Sequence, residues 1–183
     1  DAALSVVADT GYDELIFLGD VLSYGVDVLG VTERIAKECR KRNVVLLRGN
    51  HDPIYLSADR EHIEGYVTKL PDWIRESIDF NRERLPLALF DALPFVDTHR
   101  ADQVFFAHAN PFGRDDWRYI NSENDHAVAC VSLQEMGLRC GVFGHTHRAN
   151  GFSSGRGGAF IDIGVERLDL KALGAPYVLN AGA

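Results

Sequence analysis

The sequence predicts an α/β protein in which two packed mixed β-sheets are flanked by helices. The first half of the chain alternates short apolar runs with an amphipathic helical pattern, which is typical of β-α-β units with parallel strands. The C-terminal part carries short apolar runs separated by glycine-rich turns, which is typical of antiparallel strands. Between these two parts, residues 53–93 are rich in charge and poor in strand signals. We interpret this stretch as a helical insertion in a single domain over residues 1–183, because it is too short for a core of its own.

The first elements form the predicted β-α-β unit. Residues 2–8 are expected to end a helix, and residues 13–18 to form a strand. Asp27 can cap a helix that runs to about Arg42 with an apolar inner face, and the strand Val44–Leu47 follows it. The two strands are therefore expected to be parallel neighbours.

The remaining elements are predicted from the same periodicities and turn signals. In order, they are two or three helices over 53–93 with one starting at Pro71 or Asp72, a hairpin of residues 95–98 and 103–106, a polar loop over 110–121, a helix over 124–136, a strand over 140–143, and short antiparallel strands beyond Arg148.

Four apolar runs end in residue types that bind metals. In chain order these residues are Asp20, Asn50, His108, His145 and His147. Because strand ends meet at one edge of a sheet, we expect the side chains to converge there. The set mixes hard oxygen donors with borderline nitrogen donors and contains no thiolate. Such a set suits Mn, Fe, Zn, Co or Ni, and argues against a structural zinc site built from cysteines.

The spacing of these residues favours two metal ions. His145 and His147 lie two residues apart on a tight loop, so each imidazole can serve a different ion. A carboxylate such as Asp20 can bridge two ions roughly 3.5–4 Å apart, which lowers the pKa of a shared water and clamps the oxygens of a phosphoryl group. His51 would then be free to protonate a leaving oxygen or to stabilise developing charge. Asp52 is predicted either to orient His51 or to cap the N-terminus of a helix.

Four motifs, in their order and spacing, resemble those of the calcineurin-like metallophosphoesterase family. They are Gly19-Asp-Val-Leu-Ser-Tyr-Gly25, Gly49-Asn-His-Asp52, Ala107-His-Ala109 and Gly144-His-Thr-His147. The resemblance covers most of the chain and is closest to the small bacterial and archaeal phosphodiesterase-like branch. It implies an αββα sandwich, which agrees with the fold class predicted from the residues.

The resemblance also implies roles for single residues. Asp20 resembles the bridging carboxylate, and His51 resembles the catalytic histidine. The remaining ligands of one metal site correspond to Asn50, His108 and His145, and His147 corresponds to a ligand of the other site.

The function implied is that of a metal-dependent phosphoesterase, with a phosphodiesterase as the preferred interpretation. In this reaction a hydroxide between two divalent ions attacks phosphorus. Manganese is the expected metal, with iron, zinc, nickel and cobalt as alternatives. Phosphomonoesterase and nucleotide pyrophosphatase activities remain open. The expected partner is a small phosphorylated substrate.

The chain departs from the family pattern in one respect. The family opens with a strand that ends in Asp-x-His, and this motif is not found in the chain. Asp1-Ala-Ala-Leu4 resembles the helix that follows the motif, and 179–183 resembles the family's Asn-Pro-Gly-Ser turn cut short. We expect the sequence to be a fragment. Otherwise one of the two metal sites is degraded. The rival to the enzyme is a catalytically inactive scaffold that binds proteins, as the phosphoesterase-like subunit of retromer does; the missing motif favours the scaffold, and the presence of His51 favours the enzyme.

Composition limits the other classes of function. A net charge of -8 gives no electrostatic footprint for duplex DNA or RNA. No apolar run approaches the length that spans a bilayer, so no membrane partner is expected. Three cysteines without paired spacing, and no secretory signal, predict a reducing, cytoplasmic setting. The oligomeric state is not predicted.

Several residues allow two interpretations from the sequence. Arg148 suits either a contact with a substrate phosphate or a surface salt bridge. Trp117 and Tyr119 suit either a base-stacking pocket or packing of their loop against the body. Three further histidines lack a strand-end context and are predicted to lie at the surface: His62, His99 and His126.

Overall fold

The structure is a computed structural model that describes residues 2–58, 60–156, 159–161 and 175–182. In these ranges the elements are, in order, α1 (Ala2–Thr10), β1 (Leu15–Phe17), α2 (Val28–Glu38), β2 (Val44–Leu47), α3 (Arg60–Val67), α4 (Asp72–Arg84), α5 (Leu87–Asp91), β3 (Phe95–Val96), β4 (Thr98–Ala101), β5 (Val104–Ala107), α6 (Glu123–Glu135), β6 (Cys140–Phe143), β7 (Ala149–Ser153), β8 (Ala159–Ile161) and β9 (Tyr177–Ala181). Short 3₁₀ helices cover Asp52–Ile54 and Ser154–Arg156.

The strands form two sheets, as predicted. The first sheet has the order β1-β2-β3 and is parallel. The second has the order β4-β5-β6-β9-β7-β8 and is mixed, because β5, β6 and β9 are parallel whereas β7 runs antiparallel to β8 and β9. The predicted α/β architecture of two β-sheets flanked by helices is therefore confirmed. Only the second sheet is mixed, because the first is purely parallel.

The predicted strand over 95–98 is wrong as a single element. Its first half is β3, which pairs with β2 in the first sheet, and its second half is β4, which forms the hairpin with β5 in the second sheet. The chain changes sheets at Asp97. Arg48 holds this crossing point, since its Nε donates to Asp97 Oδ1 at 2.9 Å and its backbone N–H donates to the carbonyl of Val96.

The helical stretch shares the core of the first sheet. Ile54, Tyr55, Ile78 and Phe90 are fully buried in one cluster with Leu46 of β2. The predicted helices are present as α3, α4 and α5, and α4 begins at Asp72 after Pro71, one of the two predicted starts. The stretch therefore packs directly against the first sheet.

A second core lies between α6 and the second sheet. Ala129, Cys130 and Leu133 of α6 are buried in one cluster with strand residues that include Phe143. His126 lies on the same helix face and is fully buried, so the prediction that it lies at the surface is wrong. Positions i, i+3, i+4 and i+7 carry these four helix residues, and that spacing signals the inward face.

Two other histidines were predicted to lie at the surface. His99 is partly buried, and its Nε2 lies 3.0 Å from Glu14 Oε1. The side chain of His62 lies outside the described residues. In the described ranges, no helix combines the length and the apolar character that crossing a bilayer requires.

Candidate metal centre

The predicted ligands lie on the turns that follow four strands. Asp20 and Asn50 follow β1 and β2 of the first sheet, whereas His108 and His145 follow β5 and β6 of the second. Both strand pairs are parallel, so each sheet presents its carboxyl ends at one edge. The structure brings together ligand atoms of Asp20, His108 and His145, all within 4.8 Å of one another.

Two backbone carbonyls orient the imidazoles of this cluster. Nδ1 of His108 lies 2.6 Å from the carbonyl oxygen of Leu18, so this nitrogen carries the proton that it donates. Nε2 of His145 lies 3.0 Å from the carbonyl oxygen of Trp117 and donates in the same way. In the neutral rings, the lone pairs therefore reside on His108 Nε2 and His145 Nδ1. These two nitrogens face each other at 3.2 Å.

Two oxygen atoms point at the same position. Oδ1 of Asn50 lies 3.2 Å from His108 Nε2, and Oδ2 of Asp20 lies 3.3 Å from it. With both rings neutral, two imidazole lone pairs, an amide oxygen and a carboxylate oxygen converge on one position. Such a group is unfavourable unless a positive charge lies between its members. Because the donors are nitrogen and oxygen, the residues fit a divalent transition metal or zinc.

The acid–base properties of the cluster agree with a demand for positive charge. Burial raises the pKa of Asp20, but His108 and His51 outweigh it and hold the pKa below its usual value. Burial lowers the pKa of His108, but Asp20 and the Leu18 carbonyl outweigh it and raise the pKa above its usual value. The Asp20 carboxylate is therefore kept ionised beside His108, whose protonated form is favoured.

Two glycine turns let the first-sheet loops approach each other. A Cβ on Gly49 would lie 2.1 Å from Asp20 Oδ1, and a Cβ on Gly19 would lie 2.5 Å from the backbone N of Gly49. Both distances are shorter than any real contact. Only glycine at these two positions allows the Asp20 and Asn50 loops to abut.

Asp52 ties these loops together, and the prediction that it orients His51 is wrong. Its carboxylate accepts hydrogen bonds from the backbone N–H of Asp20 at 2.9 Å, Val21 at 2.9 Å and Gly49 at 2.7 Å. Complete burial and the nearby Asp20 raise the pKa of Asp52 to about 7, while the three N–H donors oppose this rise. With both oxygens occupied by backbone donors, Asp52 acts on the metal centre through the position of the Asp20 loop.

His51 is held instead by a hydroxyl network. Its Nδ1 lies 2.8 Å from Ser23 Oγ, which lies 2.9 Å from the hydroxyl of the buried Tyr55. Its Nε2 lies 3.3 Å from the Tyr24 hydroxyl at the wall of the cleft. Burial lowers the pKa of His51, and its neighbours His108 and His147 add to the effect while Asp20 opposes it. His51 is therefore a buried imidazole with Nδ1 anchored by Ser23 and Nε2 beside the Tyr24 hydroxyl at the cleft wall.

His147 and Arg148 lie outside the cluster of three. His147 is exposed on the cleft wall, where its ring contacts Tyr24 edge-on at 5.8 Å between centroids. Arg148 is exposed, and no ion pair of its side chain occurs within the described ranges, so the salt-bridge interpretation receives no support.

Three of the predicted ligands adopt a strained backbone conformation. The φ angles of Asp20, His145 and His147 are 56°, 62° and 53°, in the left-handed region that non-glycine residues rarely occupy. The loop after β6 is held in place by Asn180, whose Nδ2 donates to the carbonyl of Gly144 at 2.7 Å. Strain of this kind persists where surrounding contacts determine the conformation, and it is common at functional sites.

Two adjoining clefts open beside the cluster. The larger, of about 570 Å³, is lined by Asp20, His51 and His147 among others, and the second, of about 420 Å³, is lined by Tyr66 and Trp117 among others. Both include Asn50, His145 and Tyr119. Ligand atoms, a buried imidazole and open space thus occur together at the carboxyl edge of both sheets.

The sequence pattern of the calcineurin-like phosphoesterases matches residues 2–149 of this chain. The match covers most of its length. The chain belongs to the calcineurin-like phosphoesterase family.

Solved structures agree with this family fold. A metallophosphoesterase from Sphaerobacter thermophilus superposes with a TM-score of 0.68 at 18% sequence identity, covering 99% of this chain and 71% of that chain. A hypothetical protein from Pyrococcus horikoshii OT3 superposes with a TM-score of 0.66 at 14% identity, covering 100% and 81% respectively. At these identities the likeness establishes the fold. No curated protein matches the sequence.

Calcineurin-like phosphoesterases use divalent metals, and Asp20, His108 and His145 form a possible metal site in this member. The roles of Ser23 and Tyr24 were not predictable from the sequence, although both residues lie within the first motif, because a serine and a tyrosine on a turn have many uses. The carbonyls of Leu18 and Trp117 were not predictable either. Backbone groups carry no signal in the sequence, so these contacts emerge only from the fold.

Proposed function

We propose that this calcineurin-like phosphoesterase hydrolyses a small phosphate ester, preferably a phosphodiester, at a site for two divalent metal ions, with manganese as the expected metal. The observation that carries the proposal is the convergence of ligand atoms from His108, His145, Asn50 and Asp20. These four side chains would hold one ion. His147, together with Asp20, would contribute to the second. A bound divalent ion polarises a phosphoryl oxygen and lowers the pKa of bound water.

In hydrolysis, the oxygen of a water molecule bonds to phosphorus while the bond from phosphorus to the ester oxygen breaks. The departing oxygen needs a proton, and we assign its delivery to His51. When the Ser23 hydroxyl donates to Nδ1, the neutral imidazole carries its proton on Nε2, the nitrogen on the cleft side. A lowered pKa keeps the ring from becoming a fixed cation. His51 can therefore give a proton, or a hydrogen bond, to the leaving oxygen.

The proposal extends to the setting of the reaction. A small phosphorylated substrate, rather than duplex nucleic acid or a membrane, agrees with the net charge of -8. We also propose a cytoplasmic location, which is supported by Cys39, Cys130 and Cys140 all being free thiols.

The experiment that tests the proposal combines metal stoichiometry with turnover. The protein is loaded with Mn²⁺, its bound metal is counted, and hydrolysis of a bis-aryl phosphate is compared with that of a mono-aryl phosphate. We expect two ions, faster turnover of the diester, and a loss of kcat on the order of 10²–10⁴-fold in His51→Ala. The matched control is His99→Ala, a histidine on β4 that does not line either cleft.

Each other outcome has a defined meaning. One bound ion with turnover would contradict the dinuclear site, and a preference for the mono-aryl substrate would identify a phosphomonoesterase. No bound metal and no turnover would overturn the enzymatic proposal and favour a protein-binding scaffold with this fold.

A further inference from the structure

Exposed aromatic side chains are concentrated around the metal centre. The structure describes six of them, namely Tyr24, Tyr66, Trp73, Phe80, Tyr119 and Phe160. Four of the six line the two clefts, and only Phe80 and Phe160 do not. The four come from separate segments: the loop after β1, helix α3, helix α4 and the loop over 110–121. Convergence of exposed apolar rings on one opening indicates a ligand that covers them.

Tyr119 provides the most defined surface in this group. Its ring is stacked on His145, with 4.3 Å between centroids and 16° between planes, yet 55% of the residue remains exposed. A planar ligand group on Tyr119 would continue a stack that begins at a proposed metal ligand. Trp73 is 62% exposed in the larger cleft and offers a second aromatic surface. Stacking on aromatic side chains is a sequence-tolerant way to bind a nucleobase or another flat ring.

The charged side chains that line the clefts limit the number of phosphates that a ligand can carry. Among the described residues that line the two clefts, none is a lysine or an arginine. Proteins that bind additional phosphates normally supply such cations. A phosphoryl group at the metal centre would be neutralised by the metal. A second phosphate farther out would meet no lysine or arginine among the described lining residues of the two clefts, in a protein whose net charge is -8.

We propose that the substrate is an ester with one phosphoryl centre and a planar aromatic group, as in a nucleoside monophosphate or its diester. This inference rests on the proposed function, because it puts the phosphoryl centre at the cluster of Asp20, His108 and His145. The aromatic group then lies against Tyr119, between the walls formed by Tyr66 and Trp73. Nucleoside diphosphates and triphosphates, which the sequence leaves open, are not favoured ligands.

The test uses a signal that does not depend on turnover. Trp73 and Trp117 are the two tryptophans of the chain, and each lines one of the clefts. Stopped-flow tryptophan fluorescence of the Mn²⁺-loaded protein therefore reports binding before hydrolysis. We expect adenosine 5′-monophosphate to bind about 10-fold or more tightly than ribose 5-phosphate, because one base stacks. Adenosine 5′-diphosphate is expected to bind no more tightly than the monophosphate.

Variants connect the preference to the aromatic surface. Tyr119→Ala should remove most of the difference between the adenosine and ribose ligands, whereas Tyr119→Phe should keep it. In Trp73→Ala, Trp117 fluorescence still reports binding, and the difference in affinity between the adenosine and ribose ligands should be smaller. Phe80→Ala removes an exposed aromatic outside both clefts and should change nothing.

Two results would overturn the inference: equal binding of ribose 5-phosphate and adenosine 5′-monophosphate, or a preference that survives both Tyr119→Ala and Trp73→Ala. Tighter binding of the diphosphate by 10-fold would also contradict it. Failure of the proposed function looks different. Hydrolysis of a bis-aryl phosphate without a base preference overturns this inference alone, whereas base-dependent quenching without any hydrolysis overturns the enzymatic proposal alone.

Discussion

At the scale of single residues, His108 is the point where the two sheets meet at bonding distance. One ring nitrogen donates to Leu18, which follows a strand of the first sheet, and the other faces His145, which follows a strand of the second. The orientation of one imidazole thus depends on the relative position of both sheets. A small shift between them would separate the lone pairs that make the site selective for a cation.

The two abutting glycine turns allow a test of this close fit. Gly49→Ala would bring a methyl group to 2.1 Å from Asp20 Oδ1, so Asp20 must move. We expect about 1–3 kcal/mol lower stability in urea unfolding, as for other overpacked positions, together with weaker Mn²⁺ binding. The matched control is Gly65→Ala on α3, where an added Cβ meets nothing within 4 Å. A Gly49→Ala protein that bound Mn²⁺ like the parent would contradict this account of the turns.

The types of the candidate ligands were predictable from sequence, but their orientations were not. Asp20, Asn50, His108 and His145 were identified because chelating side chains recur at the ends of apolar runs. The predicted contact of Asp52 with His51 was wrong, because it was based only on their adjacency in sequence. In the fold, the buried Asp52 carboxylate accepts hydrogen bonds from three backbone N–H groups of two different loops. The local sequence does not identify those donors.

At the scale of elements, side-chain hydrogen bonds of two residues determine where α6 begins. Ser122 accepts a hydrogen bond from the backbone N–H of Asp125, and the Asp125 carboxylate accepts one from the backbone N–H of Ser122. This reciprocal capping box satisfies two N–H groups that the first turn would leave unpaired. The predicted helix over 124–136 differs from the observed bounds by one residue at each end.

The capping box predicts a pH-dependent contribution to stability. Hydrogen bonds from Ser122 hold the pKa of Asp125 below its usual value, so the folded state favours the ionised carboxylate. Its contribution is complete above the unfolded pKa of about 3.9 and is lost as the pH falls through the lower folded pKa. We expect Asp125→Asn to cost about 0.3–1 kcal/mol at pH 7 in urea unfolding, because the negative charge at the helix N-terminus is lost.

At about pH 3 the difference between parent and variant should shrink, because protonation begins to remove the same interaction from the parent. Asn124→Ala, at the neighbouring exposed position, provides the control and should show no such pH dependence. A cost for Asp125→Asn that stayed constant from pH 7 to pH 3 would assign the effect to something other than the charge.

Other element boundaries were less predictable. Helix α2 begins at the predicted cap Asp27, but it ends at Glu38 rather than near Arg42. The charged residues that follow suit a helix end as well as a helix interior. The change of sheet at Asp97 could not be foreseen either, since β3 and β4 read as one extended run and only their pairing partners distinguish them.

At the scale of the whole molecule, the candidate ligands join both sheets. Asp20 and Asn50 belong to loops of the first sheet, and His108 and His145 to loops of the second. An ion held by all four would bind only when both sheets are folded and packed. Binding to the native state alone raises stability by RT ln(1 + [L]/Kd).

Mn²⁺ should therefore raise the melting temperature, and above Kd the gain in free energy should grow with the logarithm of the Mn²⁺ concentration. At 100 times Kd the gain should be about 2.7 kcal/mol in the free energy of unfolding, and a chelator should reverse it. Asp20→Asn should abolish most of the shift in differential scanning calorimetry. Asp27→Ala removes the side-chain cap of α2 and lowers the starting stability, but it should leave the shift unchanged. A parent protein with no Mn²⁺-dependent shift would count against the metal centre itself.

The fold class was predictable at this scale because alternating elements allow few architectures. The arrangement within the second sheet was not, since local periodicity does not specify which strands become neighbours. β9 lies between β6 and β7, although the chain forms β6 and β7 in succession. The predicted antiparallel strands after Arg148 are present as β7 and β8, but β9 is also parallel to β6.

The central place of β9 has a consequence for how the protein is made. A ribosome releases the chain from its N-terminal end, so β6 and β7 emerge before the strand that must lie between them. The first sheet, with its helices, can pack while synthesis continues. The second sheet has to wait until Tyr177–Ala181 has left the exit tunnel. The histidines that follow β5 and β6 would then reach their final positions only after β9 has been added, although they are translated before it.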